Sequence, residues 1–118
     1  MLDGYPRVAL LDQEGQRLPF GIRHDGDQVV TSRPPRPVRI RARESAVFVL
    51  SKYRCDLGVR DEAKSMRVGL PGSRTTSHVT LAIPDESSLG YCGKDLPGST
   101  FTVSPIVRTF EDALAVGE

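Results

Sequence analysis

The sequence predicts an all-β fold, either a two-sheet antiparallel sandwich or a small barrel, with seven or eight strands. Short segments of alternating apolar and polar residues recur along the chain, and clusters of Gly, Pro and Asp separate them. No segment keeps a helical period over several turns. The 118 residues are enough for one domain and too few for two.

The first strands are predicted from a hairpin pattern. Its first arm, turn and second arm are residues 7–12 (RVALLD), 13–15 (QEG) and 16–20 (QRLPF). Residues 21–28 are predicted to form a loop, and residues 28–31 (QVVT) a short edge strand. The segment 32–37 (SRPPRP) is not a central strand, because its three prolines lack backbone donors.

Strict alternation and then an apolar run predict the next two strands. Residues 38–42 (VRIRA) place Val38, Ile40 and Ala42 on one face and arginines on the other. Residues 46–53 (AVFVLSKY) are the most apolar segment of the chain. We therefore expect this strand to be central, with both of its faces covered.

A second hairpin and a last strand complete the predicted sheets. The hairpin has arms at 64–70 and 78–83, a turn at 71–77, and inward residues Met66, Val68, Leu70, Val79, Leu81 and Ile83. Residues 54–63 and 84–99 are predicted loops, and residues 100–107 (TFTVSPIV) form the last strand. Only the terminal residues 108–118 have a helix-like composition, so we expect them to form a tail that is either a short helix or disordered.

The charge balance excludes a strong general attraction to polyanions. There are 16 basic and 15 acidic side chains, and the net charge is +1. We therefore expect no nucleic-acid partner and no overall attraction to a membrane surface. No apolar run reaches the roughly 18 residues that a membrane-spanning helix needs, so no membrane span is predicted.

Arginines are concentrated in one short segment. Arg33, Arg36, Arg39, Arg41 and Arg43 fall within eleven residues, and the last three share one face of the predicted strand. Guanidinium groups bind phosphate, sulfated sugars or acidic partners, so Arg36, Arg39, Arg41 and Arg43 are candidate contacts for an anion or a partner. The alternative is a solvated outer face that keeps a sheet edge soluble. No aromatic residues interleave with the arginines, so stacking on nucleic-acid bases is not predicted.

The two cysteines, Cys55 and Cys92, are each in a predicted loop after a strand. A reactive thiol or a metal pair would be a functional interpretation, but there is no Cys-x-x-Cys and no nearby histidine. The structural interpretation is a disulfide, which small all-β domains often carry. A disulfide would indicate an oxidising, extracytoplasmic compartment.

No catalytic motif is present in the sequence. It has neither a Gly-x-Ser-x-Gly nucleophile motif nor a phosphate-binding loop. The adjacent acids in the loops are typical of solvated surface, and His24 and His78 are expected to have structural or surface roles. We expect Tyr5 to anchor the first strand, with its ring packed and its hydroxyl bonded to backbone. The sequence therefore predicts no cofactor, no metal and no enzymatic activity.

Several segments together resemble one protein family. They are LDGYPRVALLDQEGQRLPF at the start, VRIRARESAVFVLSKY, Cys55, MRVGLPG, Cys92 and FTVSPIV near the end. In this order and spacing they resemble the domain of unknown function 4232, a family of actinobacterial exported and lipid-anchored proteins. The resemblance extends to about Val107, so we divide the chain into a single domain, 1–107, and a tail, 108–118.

The resemblance implies an immunoglobulin-like sandwich and export, and it supplies no catalytic residues. Members of the family have one or two further strands before the Gly-Tyr-Pro that this chain has at Gly4–Pro6. Without them, an exposed sheet edge could pair with a second copy. Two functions are therefore expected as alternatives. One is a non-enzymatic extracytoplasmic module that binds an envelope protein or an anionic ligand, and the other is a structural subunit that self-associates through an edge strand.

Overall fold

The computed structural model describes residues 4–41, 44–53, 55–74, 76–80 and 89–115. In these residues the protein is nearly all β, with three small sheets and two single turns of 3-10 helix, Pro97–Ser99 and Glu111–Ala113. The strands are β1 (Arg7–Leu11), β2 (Gly21–Arg23), β3 (Leu50–Lys52), β4 (Asp61–Glu62), β5 (Ser65–Gly69), β6 (Thr76–Thr80), β7 (Gly90–Tyr91) and β8 (Thr100–Val103). The prediction of an all-β fold is confirmed.

The first sheet has the order β1-β5-β6 and is antiparallel throughout. The alternation in β1 buries Val8 and Leu10 and leaves Arg7 exposed. The hairpin β5–β6 turns at residues 71–72, as the Pro-Gly in the sequence predicts. Leu70 was expected to face inward, but it lies one residue beyond β5 and is 45% exposed. The predicted inward residues Leu81 and Ile83 lie outside the described residues.

The second sheet has the order β2-β8-β3, so β8 is its central strand. The expectation that residues 46–53 form a central strand is wrong, because only Leu50–Lys52 is a strand and it lies at the edge. Phe101, Thr102 and Val103 are all buried, which shows that β8 is the strand covered on both faces. The residues before β3 are only half-buried.

The strand β2 was predicted as part of a loop. It pairs with β8 in parallel, and Ile22 lies opposite Phe101. Gly21 fits this position because a Cβ there would come within 2.8 Å of the Thr100 hydroxyl oxygen. A parallel pair needs a long connection instead of a hairpin turn, so no local pattern marks it.

The predicted second arm of the first hairpin is not a regular strand. Residues 16–20 return towards β1 with one bridge, Leu11 to Arg17. Two bonds flank it, from the Asp12 N–H to the Gln16 carbonyl and from the Leu18 N–H to the Leu10 carbonyl. Pro19 has no N–H to continue the ladder. The return still places the side chains of Leu18 and Phe20 in the core.

The predicted alternating strand at 38–42 is also absent from the described residues. Val38 is buried, as predicted, but Ile40 is 36% exposed. Val38 forms a β-bridge, but residues 39–41 belong to no strand, so the described part of this segment does not form the predicted strand. Ala42 and Arg43 lie outside the described residues.

One apolar core is shared by the sheets. Val8 and Leu10 of β1, Phe101 and Val103 of β8, and Tyr91 of β7 belong to the same buried cluster. The ring of Phe20 also belongs to the cluster and meets Tyr91 and Phe101 edge to face, with centroids 5.3 Å and 5.6 Å apart. Both three-stranded sheets therefore contribute side chains to one core.

The C-terminal segment packs back onto the middle of the chain. Ala113 is completely buried, and its carbonyl accepts a bond from the Thr31 N–H at 2.8 Å. The Ala115 N–H donates to the Val29 carbonyl at 2.8 Å, and Leu114 forms a bridge with Val30. Up to Ala115, the last described residue, the helix-like composition of this segment yields the single turn Glu111–Ala113.

Candidate functional site

Two of the predicted arginines line a cleft, and a third arginine from the end of the chain joins them. The cleft lies between residues 31–38 and 105–112 and has a volume of about 200 Å³. Arg33 and Arg36 contribute to one wall, and Arg108 contributes to the other together with Asp112. We call this site the arginine cleft and define it by these four residues.

The first wall is shaped by its prolines. Proline fixes the backbone dihedral φ and removes donors, so this segment extends across the surface without joining a sheet. Thr31 and Val38, at its two ends, are 2% and 7% exposed. The segment between these buried ends therefore presents Arg33 and Arg36 to solvent from a stiff backbone.

The second wall continues from β8. Val107 exchanges two backbone hydrogen bonds with Val47, at 2.8 Å and 2.9 Å, and the chain then places Arg108 at the rim. Nη2 of Arg108 donates to the Arg39 carbonyl at 2.8 Å, and Nη1 lies 3.8 Å from Oε2 of Glu44. These contacts fix the guanidinium against the loop that follows the first wall.

The charges of the cleft are uneven, with three arginines against one aspartate. In the described part of the chain, neither the Arg36 guanidinium nor the Asp112 carboxylate takes part in an ion pair. Arg36 can therefore pair with an incoming acidic group. Its planar donor array suits carboxylate and phosphate oxygens.

The structure separates the predicted arginines into two groups. Arg33 and Arg36 line the cleft, whereas Arg39 and Arg41 are exposed and outside its lining. Arg43 lies outside the described residues. Arg108 and Asp112 were not singled out from the sequence, because they come from a segment about 70 positions later that reaches the cleft only in the folded chain.

Cys55 and Cys92 form a disulfide in the structure, with their Cα atoms 5.2 Å apart and a sequence separation of 37. Cys92 directly follows β7, and Cys55 follows β3 after a short connection. The bond therefore ties the small β4–β7 sheet to the end of the second sheet.

The predicted role of Tyr5 is confirmed. Its hydroxyl donates to the His24 carbonyl at 2.8 Å, and its ring stacks on the His24 ring with centroids 4.1 Å apart. Partial burial raises the pKa of Tyr5, and the negative charge of Asp25 raises it further. Within the described residues, no group of three His, Cys, Asp or Glu side chains could hold a metal ion.

Asp27 organises the turn that leads into the first wall. Its Oδ1 accepts bonds from the N–H groups of Val29 and Val30, both at 2.7 Å. Burial by itself raises the pKa of Asp27, but these two bonds and the hydroxyls of Ser51 and Thr102 outweigh it and keep the pKa below its usual value. The carboxylate thus holds the turn together through its bonds to Val29 and Val30.

Asp27→Ala is expected to lower the free energy of unfolding by about 2 kcal/mol near neutral pH, because hydrogen bonds to a charged acceptor are lost. The pKa of Asp27 is lowered by folding, so this contribution is fully present above the unfolded value of about 3.9 and decreases as pH falls through the folded value. Urea unfolding at pH 7 and pH 3 should show the difference between wild type and variant shrinking at the lower pH.

Asp25→Ala is the matched control for this prediction. Asp25 is in the same turn region, but it is exposed, and within the described residues its one ion pair is with Arg23, at 2.9 Å. Surface ion pairs of this kind contribute little to stability. The free energy of unfolding of the control should therefore be close to that of wild type. Equal losses in both variants, or a pH-independent loss for Asp27→Ala, would contradict the assigned role.

The fold and the site together define a class of protein, a small disulfide-bonded all-β domain with an arginine-lined surface cleft. A family model described as Domain of unknown function (DUF4232) matches residues 1–107. The chain belongs to this family. Comparisons with curated proteins and with solved structures found no match. Among the described residues, no helix is both long enough and apolar enough to cross a membrane.

Proposed function

We propose that the chain is an extracytoplasmic binding module that holds acidic groups of a cell-envelope ligand or partner in the arginine cleft. The observation that carries this proposal is the convergence of Arg33, Arg36 and Arg108 from two distant segments on one cleft. A surface arranged only for solubility has no need to bring such residues together, since dispersed charges are equally well solvated. The stiff, proline-rich wall reduces the entropy lost when a ligand binds.

We also propose that the two larger sheets belong to an immunoglobulin-like sandwich and that the protein is exported, either secreted or lipid-anchored. The shared core between β1 and β8 supports the sandwich. The Cys55–Cys92 disulfide supports an oxidising compartment. The proposed role is binding without catalysis, and the sequence contains no nucleophile motif that would favour a reaction.

The proposal is tested by binding of poly-glutamate and dextran sulfate to the double variant Arg33→Gln/Arg36→Gln. We expect the affinity to fall about tenfold or more, because charge-assisted hydrogen bonds are lost. Binding of the wild type should also weaken as salt is added. Isothermal titration calorimetry at two salt concentrations measures both effects.

The matched control is Arg67→Gln/Arg74→Gln, which removes the same charge from exposed positions on β5 and in the following turn. The control should bind as the wild type does. An equal loss in both double variants would mean that net charge alone attracts the polymers, and the cleft would then have no special role. Absence of binding by the wild type would also overturn the proposal.

A further inference from the structure

We propose that Asp112 makes the arginine cleft selective for an acidic sugar, with the acid group on Arg33 and Arg36 and a neighbouring hydroxyl on the Asp112 carboxylate. This inference rests on the proposed function and names the ligand class of the same site. Its basis is that an acidic side chain lines a cleft whose other charged residues are all arginines.

Asp112 is held firmly at this position. Its N–H is bonded within the turn, to the carbonyl of Thr109 at 3.2 Å and to the hydroxyl of Thr109 at 3.3 Å. The next residue, Ala113, is completely buried and bonded to Thr31 of the opposite wall. The carboxylate itself takes part in no ion pair in the described part of the chain.

An ionised carboxylate accepts hydrogen bonds and donates none. A ligand that is only an anion would be repelled by Asp112, and that repulsion would offset part of the attraction of the arginines. A ligand that carries a hydroxyl beside its acid group would instead donate to Asp112. The pair of opposite charges in the cleft thus favours an anion with an adjacent donor.

The remaining lining of the cleft fits a ring with apolar faces. Pro34, Pro37, Val38 and Val107 contribute carbon surface between the charged groups. The C–H face of a pyranose can cover such a surface, whereas a phosphate cannot. The cleft volume of about 200 Å³ leaves room for no more than about one sugar unit.

The residues that would set this selectivity come from the segment after the family match. The match covers residues 1–107, and Arg108 and Asp112 follow it. Selectivity for an acidic sugar would therefore depend on residues that lie outside the matched region. The same segment is tied to the first wall by the bond from Thr31 to Ala113.

The test compares Asp112→Asn with wild type on two probes, a tetrasaccharide of glucuronic acid and inorganic tripolyphosphate, by isothermal titration calorimetry. We expect opposite effects. The variant should bind the tetrasaccharide about tenfold more weakly, because a charge-assisted bond is lost. It should bind tripolyphosphate several-fold more tightly, because a repulsive charge is removed.

Glu111→Gln is the matched control, because Glu111 is an exposed acid in the same 3-10 turn that does not line the cleft. It should change neither affinity. Tighter binding of both probes by Asp112→Asn would make Asp112 a simple repulsive charge and overturn the inference, as would a wild type that binds only tripolyphosphate. Unchanged binding of both probes by Arg33→Gln/Arg36→Gln would instead overturn the proposed function, so the two failures are distinguishable.

Discussion

Replacing Cys55 and Cys92 together with serine is expected to lower the free energy of unfolding by about 4 kcal/mol. The physical reason is the loop that the disulfide closes, since the two cysteines are 37 residues apart in sequence. Without the bond, the unfolded chain gains the conformational freedom that the loop removes. Urea unfolding of the oxidised wild type and the double variant measures the difference.

The reductant provides the control for this prediction. Wild type and double variant should unfold at the same urea concentration once dithiothreitol has reduced the disulfide, and they should differ only in its absence. A thiol assay on denatured, unreduced wild type should find no free thiol, because both cysteines are in the bond. Two free thiols in freshly purified protein would contradict the bond and, with it, the proposed oxidising compartment.

The parts of the fold that depend on residues close together in sequence could be predicted. For the strand β1 and the hairpin β5–β6, the alternation of apolar and polar residues and the adjoining turn both lie within a short stretch of sequence. The strand β2 could not be predicted in this way, because its partner β8 lies almost eighty residues further along the chain. Its three exposed residues show no apolar pattern.

The prediction that residues 46–53 form the central strand was wrong for a related reason. Residues 46–53 are more apolar than β8, but being apolar does not decide which strand has neighbours on both sides. Thr102 is 4% exposed although it is polar, because β8 is covered on both faces. Burial in this sheet is therefore set by topology as well as by composition.

Two of the four residues that define the arginine cleft could be predicted from the sequence. The cluster of arginines among prolines marked Arg33 and Arg36 from the sequence, because clustered guanidinium groups are unusual in a chain with balanced charge. The expectation that Arg39, Arg41 and Arg43 share one strand face depended on a strand that the described residues do not form. Arg108 and Asp112 required knowledge of where the C-terminal segment packs.

The second large effect is expected for Phe101→Ala, which should lower the free energy of unfolding by about 4 kcal/mol. Phe101 is 1% exposed and lies on the central strand β8, opposite Ile22 on one side and Lys52 on the other. Its ring also meets Phe20 edge to face at 5.6 Å. Truncation therefore removes apolar burial and an aromatic contact, and it leaves a cavity in the core to which both larger sheets contribute.

Phe110→Ala makes the same change of side chain at a position that is 60% exposed. Its free energy of unfolding should therefore be within about 0.5 kcal/mol of the wild-type value. Chemical denaturation of the two variants under oxidising conditions compares them with the disulfide intact. Phe101→Leu should recover most of the lost stability, because it refills much of the cavity without restoring the ring contact. If Phe101→Ala and Phe110→Ala lost similar amounts, the two sheets would not share the core that Phe101 occupies here, and the proposed sandwich would lose its main support.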